Sequence, residues 1–374
     1  MKTVLIISPE PWDGHFVSKH HYAINLVKDG SKVYFLDPPR SEINDIKVLK
    51  TDYENLYQVQ SPIVSKGLQY MPKILRNILE SKWLKKLESK IGTKIDTIWL
   101  FENSRFYDMS FAKDRLKIYH QMDYNQNFHV KEAAKSSDIC FCISNNIKYN
   151  LLRYVNKKKV YLLGHGLSIS KDKQELTKGE IDRFNKFDIN AIYVGNIDSF
   201  CIYTDIFEEI AKIFNNIGFH FIGSYNKDKE FYKRLSMYDN VVFWGRVDSK
   251  KIIPILSFVD INLFADKLTT QEEKLQNTNS HKILEYLYSG KVIVSTYLAD
   301  LTDILDLMQM TKEEFSVDDF VKLFDDTVCN LEYLNSKSMQ EQRREYALNR
   351  TYEKRLEQIK DILKNNKLIG EDKC

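Results

Sequence analysis

Apolar positions along the chain follow two alternating patterns. Short runs rich in Val, Ile, Leu, Tyr and Phe are separated by longer stretches in which apolar residues recur every three or four positions. That alternation marks strand-helix-strand units on a mostly parallel sheet. In the first half it predicts strands near Val4–Ser8, Lys32–Leu36, Thr97–Phe101, Leu116–Tyr119, Ile139–Ile143 and Val160–Gly164, enough for one doubly wound sheet. The rhythm lapses over Ser168–Phe187, a charged stretch that reads as a connector with a short helix at most. A second series follows near Ala191–Gly195, Phe219–Ile222, Val241–Trp244, Ile261–Phe264 and Val292–Ser295, with amphipathic helices such as Thr204–Asn215 between them. The expected fold class is therefore α/β, with a first domain over 1–168, a linker over 169–189, a second domain over 190–337 and a tail over 338–374. In the tail, Ser338–Lys367 is expected as one long charged helix. Its Tyr352, Leu356, Ile359 and Leu363 form a stripe that has to be buried.

Composition narrows the class. A chain of 374 residues exceeds what one hydrophobic core usually supports, and 43% hydrophobic residues supply two. Lys plus Arg minus Asp plus Glu is 55 − 52 = +3, too balanced for a surface that tracks nucleic acid throughout. The five cysteines, at 140, 142, 201, 329 and 374, form no Cys-x-x-Cys pair, so neither a disulfide scaffold nor a zinc site is expected. Cys140 and Cys142 share one face of a strand and read as buried apolar residues. The hydrophobic run before Ser8 is too short for a signal peptide and reads as a first strand; no stretch approaches the ~20 apolar residues of a membrane span. A cytoplasmic protein is expected. Lys66–Lys94 departs from the average, with eight Lys or Arg and two Glu interleaved with apolar residues. Such a segment either lies on an anionic membrane surface or packs its apolar face on the sheet.

Ligands of open α/β sheets bind beyond the carboxyl ends of the strands. The first such loop, Ser8-Pro-Glu-Pro-Trp-Asp-Gly-His15, is not Gly-x-Gly-x-x-Gly, and none of the thirteen glycines belongs to that fingerprint or to a P-loop. Asp-x-Asp, a common holder of divalent cations in nucleotide-sugar enzymes, is also absent. The most informative segment is Asn277–Thr296. Asn279 or Ser280 is a good N-cap, Ile283, Leu284 and Leu287 make a buried stripe, Gly290 ends the helix and Val292–Ser295 is the next strand. The free N–H groups at the start of that helix favour a phosphate, Lys282 adds a cation, and Glu285, one turn deeper, offers a carboxylate to ribose hydroxyls. Taken singly, Lys282 and Glu285 read equally well as a solvated pair.

The segment resembles the nucleotide-binding signature of GT-B glycosyltransferases, in which a Lys, a Glu-Tyr or Glu-Ala pair and a Gly-Lys-Pro-Val-Val strand follow one another. Here these are Lys282, Glu285-Tyr286 and Gly290-Lys-Val-Ile-Val294. Tyr193-Val-Gly-Asn196, Phe221-Ile-Gly223, Val241–Arg246 and Phe258–Phe264 fall in the family's order, as do Ile118–Asp123, Leu163–Gly166 and Tyr352. The likeness touches most of the chain and is nearest to the bacterial sugar transferases of family 4. It implies two Rossmann-like domains facing across a cleft and a C-terminal helix that crosses back to the first domain.

The resemblance further implies transfer of a sugar from a nucleoside diphosphate sugar to a hydroxyl of a glycan or lipid-linked glycan, without a metal or other cofactor. Peripheral contact with the inner membrane leaflet through 66–94 is part of that expectation, and nucleic acid is not a partner. Glu285 would hold the ribose, and Lys282, Arg246 and the helix start at Asn279, Ser280 and His281 would meet the diphosphate, with room for the nucleotide made by Gly195 and Gly223. His120 or Asp123, at the end of a first-domain strand, is expected to face the cleft as general base, with His15 beside Asp13 as the rival and Gly14 allowing close backbone approach. The sequence departs from the family at Asn277, where many members have Glu, at Val292, where Pro is expected, and over Asn196–Tyr203, which lacks an Arg and Lys pair. A nucleotide-sugar 2-epimerase and a non-catalytic nucleotide-binding subunit remain alternatives on the same fold.

Overall fold

The computed structural model describes residues 1–14, 16–124, 128–169, 174–227, 229–270, 273–274 and 280–370. The chain divides into two compact units, one formed by Met1–Gly166 with Tyr352–Cys374 and the other by Leu167–Thr351.

The first unit is built on an eight-stranded sheet of β1 (Thr3–Ile7), β2 (Lys32–Leu36), β3 (Lys47–Lys50), β4 (Leu56–Gln60), β5 (Thr97–Leu100), β6 (Leu116–Gln121), β7 (Ile139–Cys142) and β8 (Val160–Leu162), in the order β3-β4-β2-β1-β5-β6-β7-β8. All neighbours pair in parallel except β3 with β4. Every residue of β1, β5 and β7 is buried, as expected of strands covered on both faces. The hairpin β3–β4 has no counterpart among the expected strands. Its edge strand carries Lys47 and Lys50, exposed charges that discourage edge-to-edge pairing and break up the apolar signal.

Helix Lys73–Ile91 also departs from a simple amphipathic reading. Trp83, Leu84 and Leu87 are buried, but so are Arg76 and Glu80, whereas Ile74, Leu75 and Ile78 are 77%, 46% and 46% exposed. Its second half therefore packs as a core helix, and its first half presents apolar side chains to solvent.

The tail is two helices rather than one. Lys337–Leu348 belongs to the second unit and Tyr352–Asn365 to the first, and the chain changes unit at the break between them. Two different burials impose the break. Arg343 is fully buried in the second unit, where it donates to the carbonyls of Leu307, Gly290 and Leu334. Tyr352, Leu356, Ile359 and Leu363 join the core of the first unit, and the Tyr352 hydroxyl lies 2.7 Å from Ser18 Oγ. The return to the first unit thus starts at Tyr352, not at residue 338. Ile359→Val should lower the stability of the first unit by about 1 kcal/mol, read from denaturant melts, because one buried methyl group is removed.

The second unit holds a six-stranded parallel sheet of β9 (Ile189–Val194), β10 (Ile217–Ile222), β11 (Val241–Gly245), β12 (Ile261–Phe264), β13 (Val292–Ser295) and β14 (Gln309–Met310), ordered β11-β10-β9-β12-β13-β14. The region expected as a linker is part of this unit. Thr177 and Glu180 form a capping box on a short helix, and Phe184 is buried against His220 and Trp244.

Candidate active site

In the second sheet the chain runs outward from β9 to β10 and β11 on one side, and from β12 to β13 and β14 on the other. The strand order therefore reverses between β9 and β12, and doubly wound folds have a crevice beyond the carboxyl ends of the strands at such a reversal. Gly195 follows β9 and Asp266 follows β12. Helix His281–Ser289 points its start at the same place, and its N-cap, Ser280, makes no side-chain capping bond, so the first-turn N–H groups are not consumed by the cap.

Three packing contacts hold that helix in place. Ile283, Leu284 and Leu287 are buried in the core, the Tyr286 hydroxyl accepts the Val194 N–H at 2.9 Å, and Gly290 ends the helix with φ of 84°. Lys282 is thereby laid over the end of β9. Its Nζ is 3.4 Å from Tyr193 Oη and 5.1 and 5.6 Å from the ring centres of Tyr193 and Phe264. The crossing needs glycine twice. A Cβ on Gly195 would overlap the Lys282 ammonium, and one on Gly223, at φ 138°, would overlap the Gly195 carbonyl oxygen.

Charge at the crevice is poised by desolvation. The Asp266 carboxyl is pushed up to about 6 and the Glu285 carboxyl to about 7, each mainly by burial, with the nearby Lys282 ammonium pulling the other way. Burial in turn lowers the Lys282 pKa, against the pull of both acids. A buried ammonium in this state gains from an anion brought beside it, and a buried carboxylate from hydroxyl donors. Arg246, directly after β11, is exposed and forms no ion pair with a described residue. His281 is exposed at the helix start. Asn279, Asn277 and His15 lie outside the described residues. Asp266 was not anticipated, although its place two residues past an apolar strand was a usable signal.

The first sheet has its own reversal between β1 and β5, and the loops there carry a second polar cluster. Arg105 binds Glu102 at 2.5 Å and donates to the Ser8 carbonyl at 2.8 Å, while Lys19, 4% exposed, pairs with Glu10 at 2.7 Å. None of these four charged residues stood out in the sequence, because each is an ordinary surface type until the fold gathers them.

His120 does not face solvent, contrary to expectation. It is fully buried among the rings of Tyr22, Trp99, Phe101 and Phe141, and burial lowers its pKa to about 3. Neither ring nitrogen has a hydrogen-bond partner. A strand covered on both faces buries its alternate residues whichever way they point, and so His120 packs as a core side chain. Asp123, past the strand end, is exposed. Asp13 is tied to Arg40 at 3.0 Å, and Arg40 also pairs with Asp37. Gly14 has no positive φ, and its N–H closes a turn onto Pro11. The structure therefore gathers Gly195, Gly223, Lys282, Glu285, Ser280 and His281 at one crevice, and does not bring His120 to a surface.

Solved structures share this architecture across their whole length. Sucrose-phosphate synthase from Thermosynechococcus elongatus superposes with a TM-score of 0.70 at 12% identity, covering 98% of this chain and 100% of that one. HepE from Anabaena, solved with UDP and glucose, gives 0.67 at 11% identity over 98% and 100%. WaaG, a glycosyltransferase involved in lipopolysaccharide biosynthesis, gives 0.62 at 13% over 96% and 99%. The chain has the GT-B fold. No protein-family model and no curated protein matches the sequence. Among the described residues no group of three or more His, Cys, Asp or Glu is placed to hold a metal ion, and no helix is long and apolar enough to cross a membrane.

Proposed function

We propose that the chain transfers a sugar from a nucleoside diphosphate sugar to a hydroxyl of a glycan or lipid-linked glycan. The observation that carries this reading is the lay of Lys282 across Gly195, with Glu285 one turn deeper, at the strand reversal of the second sheet. The diphosphate rests against the N–H groups opening at Ser280 and His281. Lys282 and Arg246 neutralise the charge that builds on the leaving group, and Glu285 accepts the ribose hydroxyls. Asp123, exposed where His120 is not, is the first-unit candidate for the base that takes the acceptor proton. The neighbours' names support the class: HepE was solved with UDP and glucose, and WaaG is involved in lipopolysaccharide biosynthesis. A cytoplasmic place at the inner leaflet suits such an acceptor, and the exposed Tyr70, Ile74, Leu75 and Ile78 among the lysines of 66–94 support contact there.

Incubating the purified chain with UDP- and GDP-sugars tests the reading. Release of nucleoside diphosphate that depends on added acceptor supports transfer, release of epimerised sugar nucleotide without acceptor supports the epimerase, and nucleotide binding without turnover supports a non-catalytic subunit. Failure to bind any nucleoside diphosphate ends all three.

Glu285 gives the site a pH signature. Its carboxylate, the form that accepts two ribose hydroxyls, develops as pH rises through about 7. Nucleoside affinity should therefore rise between pH 6 and pH 8 by about fivefold, measured with uridine to avoid phosphate titration, and Glu285→Gln should flatten the rise. A second pair of variants separates the two base candidates. Asp123→Asn should reduce turnover by roughly 10²-fold. His120→Phe should leave turnover within about threefold and raise the melting temperature, since it removes two unpartnered buried nitrogens.

A further inference from the structure

A cavity of about 540 Å³ in the first unit is lined from helix Lys73–Ile91 on one side and helix Val130–Ser136 on the other. None of its lining residues belongs to the polar cluster at the β1–β5 reversal. Its size is that of a ligand pocket, ~300–1,000 Å³, but the lining is charged rather than apolar. Lys73, Arg76, Lys131 and Lys135 stand against Asp108 and Glu132, a formal excess of 4 − 2 = +2.

Asp108, buried at the cavity, is already matched. Lys73 Nζ lies 2.8 Å and Arg76 3.5 Å from one carboxyl oxygen, and the other accepts the Ser110 N–H. Lys131 and Lys135 are not matched. Both are exposed, they stand one turn apart on the same helix, and neither they nor Glu132 form an ion pair with a described residue. Like charges at that spacing repel, a cost that an anion between them removes. His129 adds a donor: its backbone is held in the left-handed region at φ 53°, and its ring lies flat on Tyr107, 3.7 Å between centres and 7° between planes. An imidazole has at least one N–H in every protonation state. Two chain neighbours of lining residues, Ile74 and Phe128, are apolar and 77% and 72% exposed. A cationic hollow with apolar side chains beside it suits a phosphate carried on an apolar body.

We propose that this cavity is a binding site for a phosphate group, held by the ammoniums of Lys73, Lys131 and Lys135 with His129 as a further donor. Lys73 serves it while remaining on Asp108, because an ammonium has three protons to donate. The residues lie wholly in the first unit, and the site stands whether or not the second unit binds a nucleotide. Two sources carry this chemistry, a lipid headgroup and a free phosphate ester. The lipid source rests on the membrane contact proposed for 66–94, which would bring Lys73 to the headgroups; the phosphate site itself does not.

The test titrates the full chain with inorganic phosphate and with methyl phosphate in a calorimeter at constant ionic strength, with UDP present to occupy the proposed nucleotide site. Saturable binding is expected, and the double variant Lys131→Gln with Lys135→Gln should weaken it by about tenfold or more. Both positions are exposed and glutamine is a comparable helix former, so the variant should melt, and respond to UDP, as the unaltered chain does. Lys157→Gln with Lys158→Gln, an equal loss of charge at exposed positions elsewhere in the first unit, should change the affinity by no more than about twofold. No saturable binding up to roughly 100 mM, binding that the Lys131 and Lys135 variant leaves intact, or an equal loss in the control variant would each overturn the site. Sedimentation with phosphatidylcholine vesicles, with and without phosphatidate, separates the sources. Phosphatidate-dependent binding that the Lys131 and Lys135 variant loses supports a headgroup in the cavity, and phosphate binding without vesicle binding supports a soluble ester there. Vesicle binding that this variant keeps, with no phosphate bound, refutes the site and leaves the membrane contact of 66–94 standing.

Discussion

Replacing Lys282 by alanine is expected to weaken the binding of UDP or GDP by roughly a hundredfold, about 3 kcal/mol for a charged hydrogen bond to phosphate. It should also cut turnover by roughly 10²- to 10³-fold, because in the proposed reaction the same ammonium stabilises charge that grows as the sugar departs. The structure adds a sign that an ordinary surface lysine would not show. Burial lowers the Lys282 pKa, so its charge opposes folding until an anion arrives. Lys282→Ala should therefore melt no lower than the unaltered protein without ligand, and should lose most of the stabilisation that nucleotide confers. Calorimetric titration with scanning calorimetry checks both halves. A melting temperature that falls sharply in the absence of ligand would mean that Lys282 holds the fold together, and the nucleotide site would have to be sought elsewhere.

The second large effect is expected from a single methyl group. Gly223→Ala places a Cβ on the Gly195 carbonyl oxygen, a backbone atom that cannot swing aside, at a φ of 138° that alanine rarely adopts. Overlap and strain together should lower the stability of the second unit by about 3 kcal/mol. Any protein that still folds should have Gly195 displaced and with it the seat of Lys282, so nucleotide-dependent stabilisation should be lost as well. Gly195→Ala is the informative comparison, because its Cβ meets the mobile end of Lys282 and the Tyr193 hydroxyl rather than backbone. It should cost less stability than Gly223→Ala and nearly as much nucleotide affinity. If Gly223→Ala melts and binds like the unaltered chain, the close crossing of the two strand ends is not what shapes the crevice.

The helix of the proposed donor site was legible because it is nearly local. Ser280, Lys282, Glu285, Tyr286 and Gly290 lie on one helix with its cap and stop, and helical geometry alone decides which of them share a face. The first unit was much less so. Glu10, Lys19, Glu102 and Arg105 come from two loops and a helix, and only the order of the strands brings them together. His120 misled for a related reason: a histidine at the end of an apolar strand looks the same in sequence whether the next layer is solvent or four aromatic rings.

Apolar periodicity by itself determined that this chain makes two mostly parallel sheets clad in helices and where eleven of the fourteen described strands lie, since these follow from local geometry and from the need to bury alternate or continuous apolar runs. Tertiary structure alone decided where the tail breaks, because Arg343 and Tyr352 answer to different cores. It also decided that His120 is sealed and Asp123 open, and that Lys282 lies across Gly195, which in turn crosses Gly223. Each of these depends on which surfaces meet, and residues distant in sequence settle that only when the sheets have formed.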